Sequence, residues 1–488
     1  MQTDQQAAKD GSSARRVLGP GKWSIGNPMI RLFHIYVPSS LMVLFLVDAA
    51  ILYTSISLGL IYSYASVSDL LHDVGSFEAQ RILFVVVVML SLFTMGLHHR
   101  RYIAELKMVP LRLVASHLMA LLVFTLVFYV VPGTRIWLSA LIPALATSLF
   151  GLFICRLVFV KAAKVSLFRQ PVLVLGTGAQ ARRIEMAEAR GRIRCVGFVA
   201  AEGSTIDVSP ERVLASRGSL AEVAKRSGAA EIIVGLEERR GRLPTDELLA
   251  CRLQGLSIRD FTSFMERETG QVELQSLDPS WLIFSEGFSG QHRVERVVKR
   301  IFDVVVSSLL LAFAIPVAAI TALAIRLEDG GPIFYRQQRV GLRGSSFQLL
   351  KFRSMRADAE SDGVARWASV GDRRVTKVGA IIRKTRIDEI PQVLNVLKGE
   401  MSFVGPRPEQ LAIVDELSRS MPYYRYRHMV KPGITGWAQI NFPYGASNED
   451  AYQKLKFDLY YIKNYSVALD FLILIQTVRV ILWPQGVR

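Results

Sequence analysis

Asp388 and Glu389 are adjacent carboxylic acids, and the basic residues Arg383, Lys384 and Arg386 come just before them. Such a pair can act at phosphorus, because one carboxylate can attack while its neighbour binds a divalent cation or assists proton transfer. The basic residues would offset the charge of the phosphates. The helix dipole also favours acidic residues at the start of a helix. The pattern alone leaves open a phosphoryl-transfer site and a purely structural helix start.

A second set of basic residues precedes this pair, among aromatic residues and turn glycines. They include Arg336, Arg339, Lys351 and Arg353. This alternation suits a surface that holds phosphates near a lipid interface. A solvated charged face is the alternative interpretation.

The composition of the chain restricts its class. It has 488 residues, of which 51% are hydrophobic, with a mean hydropathy of +0.29 and a formal net charge of +17. This length predicts two to four folding units, and the hydropathy is high for a soluble protein. Lys and Arg concentrate beside apolar segments rather than in a nucleic-acid-reading module, so we do not expect nucleic acid as a partner. Cys155, Cys195 and Cys251 lack metal or disulfide spacing and are expected to be buried thiols.

Four apolar stretches predict a transmembrane bundle over residues 36–165, since about 20 helical residues cross a bilayer. These stretches lie near residues 38–62, 82–97, 113–131 and 138–160. Loops rich in Lys and Arg precede the first, separate the second from the third, and follow the fourth. The positive-inside rule therefore predicts that both ends of the bundle, including the tail 1–35, are cytoplasmic.

Asp48 is the one charge that we single out within these spans, and we expect no intramembrane charge network of the kind a transporter needs. Two interpretations of Asp48 stay open. It is either a functional acid or a hydrogen-bonded residue between helices or at the interface.

Residues 166–290 are predicted to form a Rossmann-like α/β domain. The strand Pro171–Leu175 leads into Gly176-Thr-Gly178-Ala-Gln-Ala181, and this order of strand, GxGxxA turn and helix is the context of the dinucleotide fingerprint. No acid clearly ends the second strand, near 196–199, where a ribose would need one; Glu202 is the nearest candidate. Dinucleotide binding and a folded spacer or regulatory domain both remain open.

The apolar stretch 304–325 is long enough to cross a membrane, but its flanks predict otherwise. Lys299 and Arg300 precede it and Arg326 follows it, so both ends carry the charge of a cytoplasmic face. Pro316 near its middle removes a helix hydrogen bond. We predict a re-entrant helix–break–helix that enters one leaflet and returns. A true span or a buried soluble helix is the alternative.

From Lys299 onwards the chain resembles the bacterial sugar transferase family, the monotopic phosphoglycosyl transferases that act on polyprenyl phosphate. The resemblance rests on a set of motifs in a fixed order. They are Lys299-Arg300-Ile-Phe302-Asp303, the Pro316 hairpin, Lys351-Phe-Arg-Ser-Met355, Asp388-Glu389, Gly405-Pro-Arg-Pro408, Lys431-Pro-Gly-Ile-Thr-Gly-Trp-Ala-Gln439 and Asp458-Leu-Tyr-Tyr-Ile-Lys-Asn464. The chain departs from many members at Ile315, where a Ser often precedes the proline.

The resemblance implies transfer of a hexose 1-phosphate from a UDP-sugar to undecaprenyl phosphate, with UDP-glucose expected first and UDP-galactose next. Asp388 would be the nucleophile that forms a covalent phosphosugar and releases UMP. Glu389 would be the second acid, and Asp388 and Glu389 together would bind Mg²⁺. The contacts to phosphate or nucleotide would come from Lys351, Arg353, Arg383 and Arg407.

The larger members of the family also carry four spans and a Rossmann-like domain. The resemblance therefore implies a multi-pass protein of the bacterial inner membrane, with a mostly α catalytic domain (291–488) on the cytoplasmic face and a homodimer as a candidate assembly. The reaction would be the first membrane step of exopolysaccharide biosynthesis. A membrane-anchored nucleotide-sugar dehydratase or epimerase is one alternative, but it would need a Tyr-x-x-x-Lys motif that is not convincing here. An inactive membrane scaffold is the other.

Overall fold

The computed structural model describes residues 29–32, 35–63, 77–98, 108–164, 170–189, 193–201, 203–215, 218–238, 241–276, 293–356, 374–442, 445 and 447–482. Most of the predicted tail, Glu202 and the basic loop at 99–107 lie outside these ranges.

Long apolar helices form the membrane bundle, after a short antiparallel hairpin. The elements are β1 (Met29–Leu32), β2 (Ile35–Pro38), α1 (Ser39–Ser63), α2 (Glu78–Thr94), α3 (Val109–Val130) and α4 (Leu138–Lys164). Leucines on their outer faces are strongly exposed, for example Leu46 at 63% and Leu122 at 73%. Helices that are apolar all round are expected where the outer face contacts lipid.

Of the predicted spans, α1, α3 and α4 are long and apolar enough to cross a membrane. Helix α2 has 17 residues, about 25 Å at the α-helical rise, slightly less than a hydrocarbon core of about 30 Å. Its Phe84 and Val88 are nevertheless fully buried in one cluster with Leu52 of α1 and Leu113 of α3. Within the described ranges, these helices are those of a multi-pass membrane protein.

Asp48 is not an isolated charge within the spans, contrary to the expectation from the sequence, because basic side chains lie against it. Arg156 of α4 pairs with it at two points, with Nη1 2.9 Å from Oδ1 and Nη2 2.6 Å from Oδ2. His98 Nε2 lies 3.0 Å from the same carboxylate. Arg156 escaped notice because it lies within the apolar run of the fourth span. The pair links α1 to α4, which supports the interhelical interpretation of Asp48.

The middle domain is a parallel sheet flanked by helices, as predicted for an α/β unit. Its elements are β3 (Pro171–Leu175), α5 (Ala179–Ala189), β4 (Arg194–Val199), β5 (Val213–Leu214), α6 (Leu220–Ser227), β6 (Glu231–Val234), α7 (Thr245–Leu253), β7 (Ser257–Asp260) and α8 (Phe261–Thr269). The described strands pair in the order β5-β4-β3-β6-β7, all parallel. Strand β3 is buried throughout, which explains its unbroken apolar run. The order is that of a doubly wound α/β sheet.

Local capping fixes the ends of two helices in this domain. The Ser219 side chain accepts a hydrogen bond from the Glu222 N–H at the start of α6, and Asp260 does the same for Ser263 at the start of α8. Helix α8 ends at Gly270, whose positive φ of 66° suits glycine.

Residues Arg293–Asp329 form one α-helix, α9, with Pro316 inside it. The predicted break in this stretch was wrong, because the helix continues through the proline. An internal proline removes one hydrogen bond and kinks a helix without necessarily ending it. Re-entry into one leaflet stays a prediction.

The C-terminal domain is mostly helical, as predicted, with two small two-stranded sheets in its described part. After α9 it contains β8 (Phe334–Val340), β9 (Ser346–Phe352), α10 (Lys377–Lys384), α11 (Gln392–Lys398), β10 (Ser402–Val404), α12 (Leu411–Ser420), β11 (Gly433–Thr435), α13 (Trp437–Asn441), α14 (Asn448–Lys463) and α15 (Val467–Leu482). Leu459 and Tyr461 of α14 pack with Leu469 and Ile473 of α15 in its main core. Helix α15 also packs against α2 of the bundle.

Both ends of α9 contact this one domain. Near its start, the Arg300 guanidinium donates hydrogen bonds to the carbonyl oxygens of Val396 and Leu397 at the end of α11, at 2.6 and 2.5 Å. Near its other end, Ile325 packs against Phe352 and Ile382. The flanks of the apolar helix are therefore held by a single folded unit.

The middle and C-terminal domains dock through α8 and α14. The Glu266 carboxylate accepts hydrogen bonds from Lys463 Nζ at 2.5 Å and Asn464 Nδ2 at 2.9 Å. Trp437 Nε1 donates to the Gly270 carbonyl at 2.9 Å. The middle domain thus braces the helix that ends at Lys463.

Candidate active site

The acidic pair lies on a strained turn. Residues Ile387–Glu389 form a 3₁₀ turn between α10 and α11, and the preceding Arg386 has a positive φ of 61°. A non-glycine residue in the left-handed region costs free energy and is often found at functional sites. The turn places the two carboxylates just before the start of α11.

The hairpin β8–β9 brings Lys351 to this turn. Asn395 of α11 anchors the hairpin, because its Oδ1 accepts from the Leu350 N–H at 3.0 Å and its Nδ2 donates to the Gln348 carbonyl at 2.8 Å. As a result, Lys351 Nζ lies 3.6 Å from Glu389 Oε1.

The Gly405–Pro408 loop brings Arg407 from the opposite side. It follows β10, which pairs in parallel with β11. A Cβ at Gly405 would lie 2.4 Å from the Lys431 carbonyl oxygen, so only glycine allows this approach. Arg407 Nη2 then donates a hydrogen bond to Glu389 Oε1 at 2.9 Å.

Glu389 is surrounded by cations. Lys351, Arg386 and Arg407 all lie within 3.6 Å of its Oε1. Although burial opposes ionisation, Arg407, Lys351 and Arg386 lower the pKa of Glu389 to about 2. Glu389 is therefore a carboxylate at any physiological pH.

Asp388 has a different environment, although it is the next residue. Its side chain is buried, and burial together with the charge of Glu389 raises its pKa above the usual value. Its Oδ1 is buried and has no hydrogen-bond partner among the described residues. An unpartnered carboxylate oxygen in a cavity is available for a substrate, which is what a nucleophile requires.

The predicted phosphate ligands all line one cavity with the acidic pair. It measures about 860 Å³, and Lys351, Arg353, Arg383 and Arg407 contribute to its wall. Burial lowers the pKa of Lys351, despite the opposing charge of Glu389. Lys351 and Arg407 contact the acidic pair directly, whereas Arg353 pairs with Asp329 at the end of α9.

The same cavity has an apolar side. Leu310 of α9 and Val480 and Ile481 of α15 line it. Leu310 belongs to the apolar stretch between Lys299 and Arg326. The cavity thus connects a membrane-type helix with the carboxylates.

Sequence reasoning missed a buried pair that supports the Arg407 loop. Arg427 lies 3.0 Å from Asp458 of α14 and donates to the Arg407 carbonyl oxygen at 2.9 Å. Asp458 belongs to a motif noted in the sequence. Arg427, in contrast, lies among Tyr and Arg residues without a spacing that would single it out.

The acidic pair fits a magnesium ion only in combination with phosphate. Within the described ranges, no group of three or more His, Cys, Asp or Glu side chains could hold a metal ion. Proteins often bind Mg²⁺ through one or two carboxylates plus substrate phosphates. Asp388 and Glu389 provide such a donor set.

In the GxGxxA turn of the middle domain, a side chain of the protein itself binds the N-terminus of the helix. The Glu237 carboxylate accepts a hydrogen bond from the Ala179 N–H, the first residue of α5, at 2.9 Å. A dinucleotide pyrophosphate would need this helix N-terminus. Glu202, the nearest candidate for a ribose ligand, is outside the described residues. The internal contact favours the spacer or regulatory interpretation.

Comparison with known proteins gives matches centred on the C-terminal domain. The family model "Bacterial sugar transferase" matches residues 294–484. The chain is 42% identical over 241 residues to the UDP-N-acetylgalactosamine-undecaprenyl-phosphate N-acetylgalactosaminephosphotransferase of Aeromonas hydrophila, covering 49% of this chain and 56% of that protein. It is 44% identical over 187 residues to the UDP-glucose:undecaprenyl-phosphate glucose-1-phosphate transferase of Escherichia coli, covering 38% of this chain and 40% of the relative.

A third relative is matched over most of its length. The chain is 44% identical over 182 residues to the UDP-glucose:undecaprenyl-phosphate glucose-1-phosphate transferase of Caulobacter vibrioides, covering 37% of this chain and 68% of that protein. The matches to the two preceding relatives span about half of their length.

Proposed function

The chain belongs to the bacterial sugar transferase family, and we propose that it transfers a hexose 1-phosphate from a UDP-sugar to undecaprenyl phosphate. The observation that carries this proposal is the contrast within one cavity between Glu389, held by three cations, and Asp388, whose Oδ1 has no partner among the described residues.

In the first step, an Asp388 carboxylate oxygen attacks the phosphorus that bears the sugar. The bond from this phosphorus to the oxygen bridging the two phosphates breaks, and UMP leaves with that oxygen. Lys351 and Arg407 stand beside the reacting group, where their charge stabilises the phosphates.

In the second step, a phosphate oxygen of undecaprenyl phosphate attacks the phosphorus of the Asp388 phosphosugar. The bond to Asp388 breaks, which yields the lipid diphosphosugar and restores the carboxylate. Ionised Glu389 keeps Lys351, Arg386 and Arg407 gathered at the site through both steps. Asp388 and Glu389 would hold Mg²⁺ together with substrate phosphates, and the ion would supply further neutralisation of their charge.

The apolar wall of the cavity supports a lipid acceptor. Leu310 lies on α9, so a polyprenyl chain in the membrane could reach the carboxylates along this helix. The contacts of both α9 ends with one domain support the re-entrant topology, since a bilayer could not separate the two flanks.

We further propose that the catalytic domain faces the cytoplasm at the inner membrane and that the reaction initiates an exopolysaccharide. The basic loops of the bundle support this orientation. UDP-glucose is the first donor to test, since two of the relatives named above use it, followed by UDP-galactose and UDP-N-acetylgalactosamine. A homodimer is a further proposal.

The test is UMP release by the detergent-solubilised full chain with undecaprenyl phosphate, Mg²⁺ and each of these donors. We expect one donor to release UMP and Asp388→Asn to release none. The exposed Asp415→Asn variant is the matched control and should retain full activity. No UMP from any donor with the wild-type chain would contradict the proposal.

A further inference from the structure

The active-site cavity has two regions of different charge. Around the acidic pair, cations outnumber acids. The cations are Lys351, Arg353, Arg383, Arg386 and Arg407, and the acids are Asp388 and Glu389. Beyond Arg407, the charges are nearly balanced. There the wall consists of Arg339, Arg427 and Lys454 together with Glu409 and Asp458, and the neutral Gln337 accepts hydrogen bonds from Arg339.

The charges of the second region are paired with one another. Asp458 lies 3.0 Å from Arg427, and Glu409 lies 3.6 Å from Arg339. A diphosphate fits the region with excess positive charge, whereas a balanced set of donors and acceptors fits a neutral group rich in hydroxyls. The donor carries such a group on either side of its diphosphate, the hexose and the ribose.

Glu409 is the acid of this region that a ligand can reach. Its side chain keeps 21% of its surface exposed, compared with 3% for Asp458. Its backbone is fixed, because its carbonyl oxygen accepts a hydrogen bond from the Val340 N–H at 3.0 Å. Lys454, one turn before Asp458 on α14, lines the same cavity and is half-buried, and its Nζ donates one hydrogen bond to the Gly445 carbonyl oxygen at 2.6 Å.

The position of Glu409 relative to the reacting phosphate suits a hexose. It is two residues from Arg407, so their Cα atoms are at most about 7 Å apart. Arg407 in turn contacts Glu389 beside the nucleophile. A ring attached directly to the phosphate that Asp388 attacks extends over a comparable length.

Resting on the proposed function, we propose that Glu409 and Lys454 form the subsite that binds the hexose hydroxyls of the donor and sets its selectivity. Glu409 accepts hydrogen bonds from hydroxyl groups and Lys454 donates to hydroxyl oxygens. A site built to hydrogen-bond a hydroxyl discriminates strongly against a sugar that places it elsewhere.

The test compares Glu409→Gln with the wild-type full chain. UMP release is measured with UDP-glucose, UDP-galactose and UDP-N-acetylgalactosamine, and UMP is titrated as an inhibitor. A hydrogen bond to a charged group accounts for roughly tenfold or more in affinity. We expect kcat/KM for the best donor to fall about tenfold or more, its lead over the other donors to shrink, and inhibition by UMP to stay unchanged.

Two further variants exclude an indirect effect. Glu416→Gln replaces an exposed acid of α12 that is outside the cavity wall and should match the wild type. Lys454→Gln leaves the contact between Glu409 and Arg339 in place and should change the donor ranking in the same direction as Glu409→Gln.

Three results would overturn the subsite. Equal loss for every donor together with weaker UMP inhibition would assign these residues to the ribose instead. Unchanged kinetics in both variants would remove them from donor binding. A wild-type chain that releases no UMP from any donor would instead defeat the proposed function, and the subsite with it.

Discussion

Arg407 Nη2 lies 2.9 Å from Glu389 Oε1 and donates a hydrogen bond to it, so the loop arginine is paired with the second acid and not the first. This contact helps to give the two neighbouring carboxyl groups different pKa values. The pKa of Glu389 is lowered to about 2 by Arg407, Lys351 and Arg386, whereas burial raises that of Asp388. Unequal environments of this kind assign different roles to paired acids.

Asp388→Asn should make the folded protein more stable at pH 7. Because the pKa of Asp388 is raised on folding, its contribution to stability is present below its ordinary pKa of 3.8 and is lost as pH rises through the folded value. The asparagine removes the cost of the buried charge, and we expect the thermal midpoint in detergent to rise at pH 7, by about 2–4 °C for each kcal/mol of that cost.

The difference in thermal midpoint between Asp388→Asn and the wild type should shrink as the pH approaches 4. Glu389→Gln is the control of opposite sign, since a lowered pKa contributes stability above the ordinary value of 4.5 that is lost towards about 2. It should lower the midpoint at pH 7. A thermal midpoint of Asp388→Asn below that of the wild type at pH 7 would contradict the raised pKa of the buried Asp388 side chain.

Asp458→Ala should destabilise the domain and slow UMP release. Arg427, whose side chain is only 7% exposed, would lose the carboxylate 3.0 Å away while still facing the Arg407 carbonyl. Removing one partner of a buried ion pair costs about 3–5 kcal/mol. Chemical unfolding and UMP release would measure both effects, with the exposed Asp415→Ala as control. Wild-type stability in Asp458→Ala would show that the pair does not support the loop.

The sequence predicted the elements whose signals are local. The apolar spans and the parallel sheet are recognisable from local patterns. The resemblance to the family implied Lys351 and Arg407 as phosphate ligands, and both contact Glu389. The unbroken α9 was missed, because a proline weakens a helix by an amount that packing against a domain can offset.

Pairings between distant segments could not be predicted. Arg156 meets Asp48 across 108 positions, and Glu266 meets Asn464 across 198. Asp48 and Asn464 were noted in the sequence but their partners were not, since Arg156 lies within an apolar run and a solvated helix face would equally explain Glu266. Only the folded arrangement shows that these side chains are buried together.

Glu266→Ala should weaken the docking of the middle domain on the catalytic domain. Glu266 is only 3% exposed and holds Lys463 and Asn464 at the end of α14. Each lost hydrogen bond to a charged group costs about 1.5–3 kcal/mol. We expect a lower thermal midpoint and two separate unfolding transitions, measured by calorimetry in detergent. A single unchanged transition would contradict a docked arrangement; the exposed Asp246→Ala is the control.

Asp48→Ala should destabilise the membrane bundle without removing catalysis. It leaves Arg156, 1% exposed, without its carboxylate, and a buried unpaired charge costs about 3–5 kcal/mol. Replacing both residues, Asp48→Ala with Arg156→Leu, should restore much of the stability. The readout is the midpoint of thermal unfolding in detergent, with UMP release per folded molecule alongside. A double variant less stable than the single one would disprove the pairing as the cause.

The central claim, that Asp388 forms a covalent phosphosugar, is tested most directly by single-turnover kinetics without undecaprenyl phosphate. The full chain is mixed with UDP-glucose carrying ³²P on the phosphate attached to the sugar. We expect a burst of UMP equal to the amount of enzyme, ³²P bound to the protein, and release of that label on addition of undecaprenyl phosphate. Asp388→Asn should show neither burst nor label. UMP formation that requires undecaprenyl phosphate from the outset, with no labelled protein, would contradict the covalent mechanism.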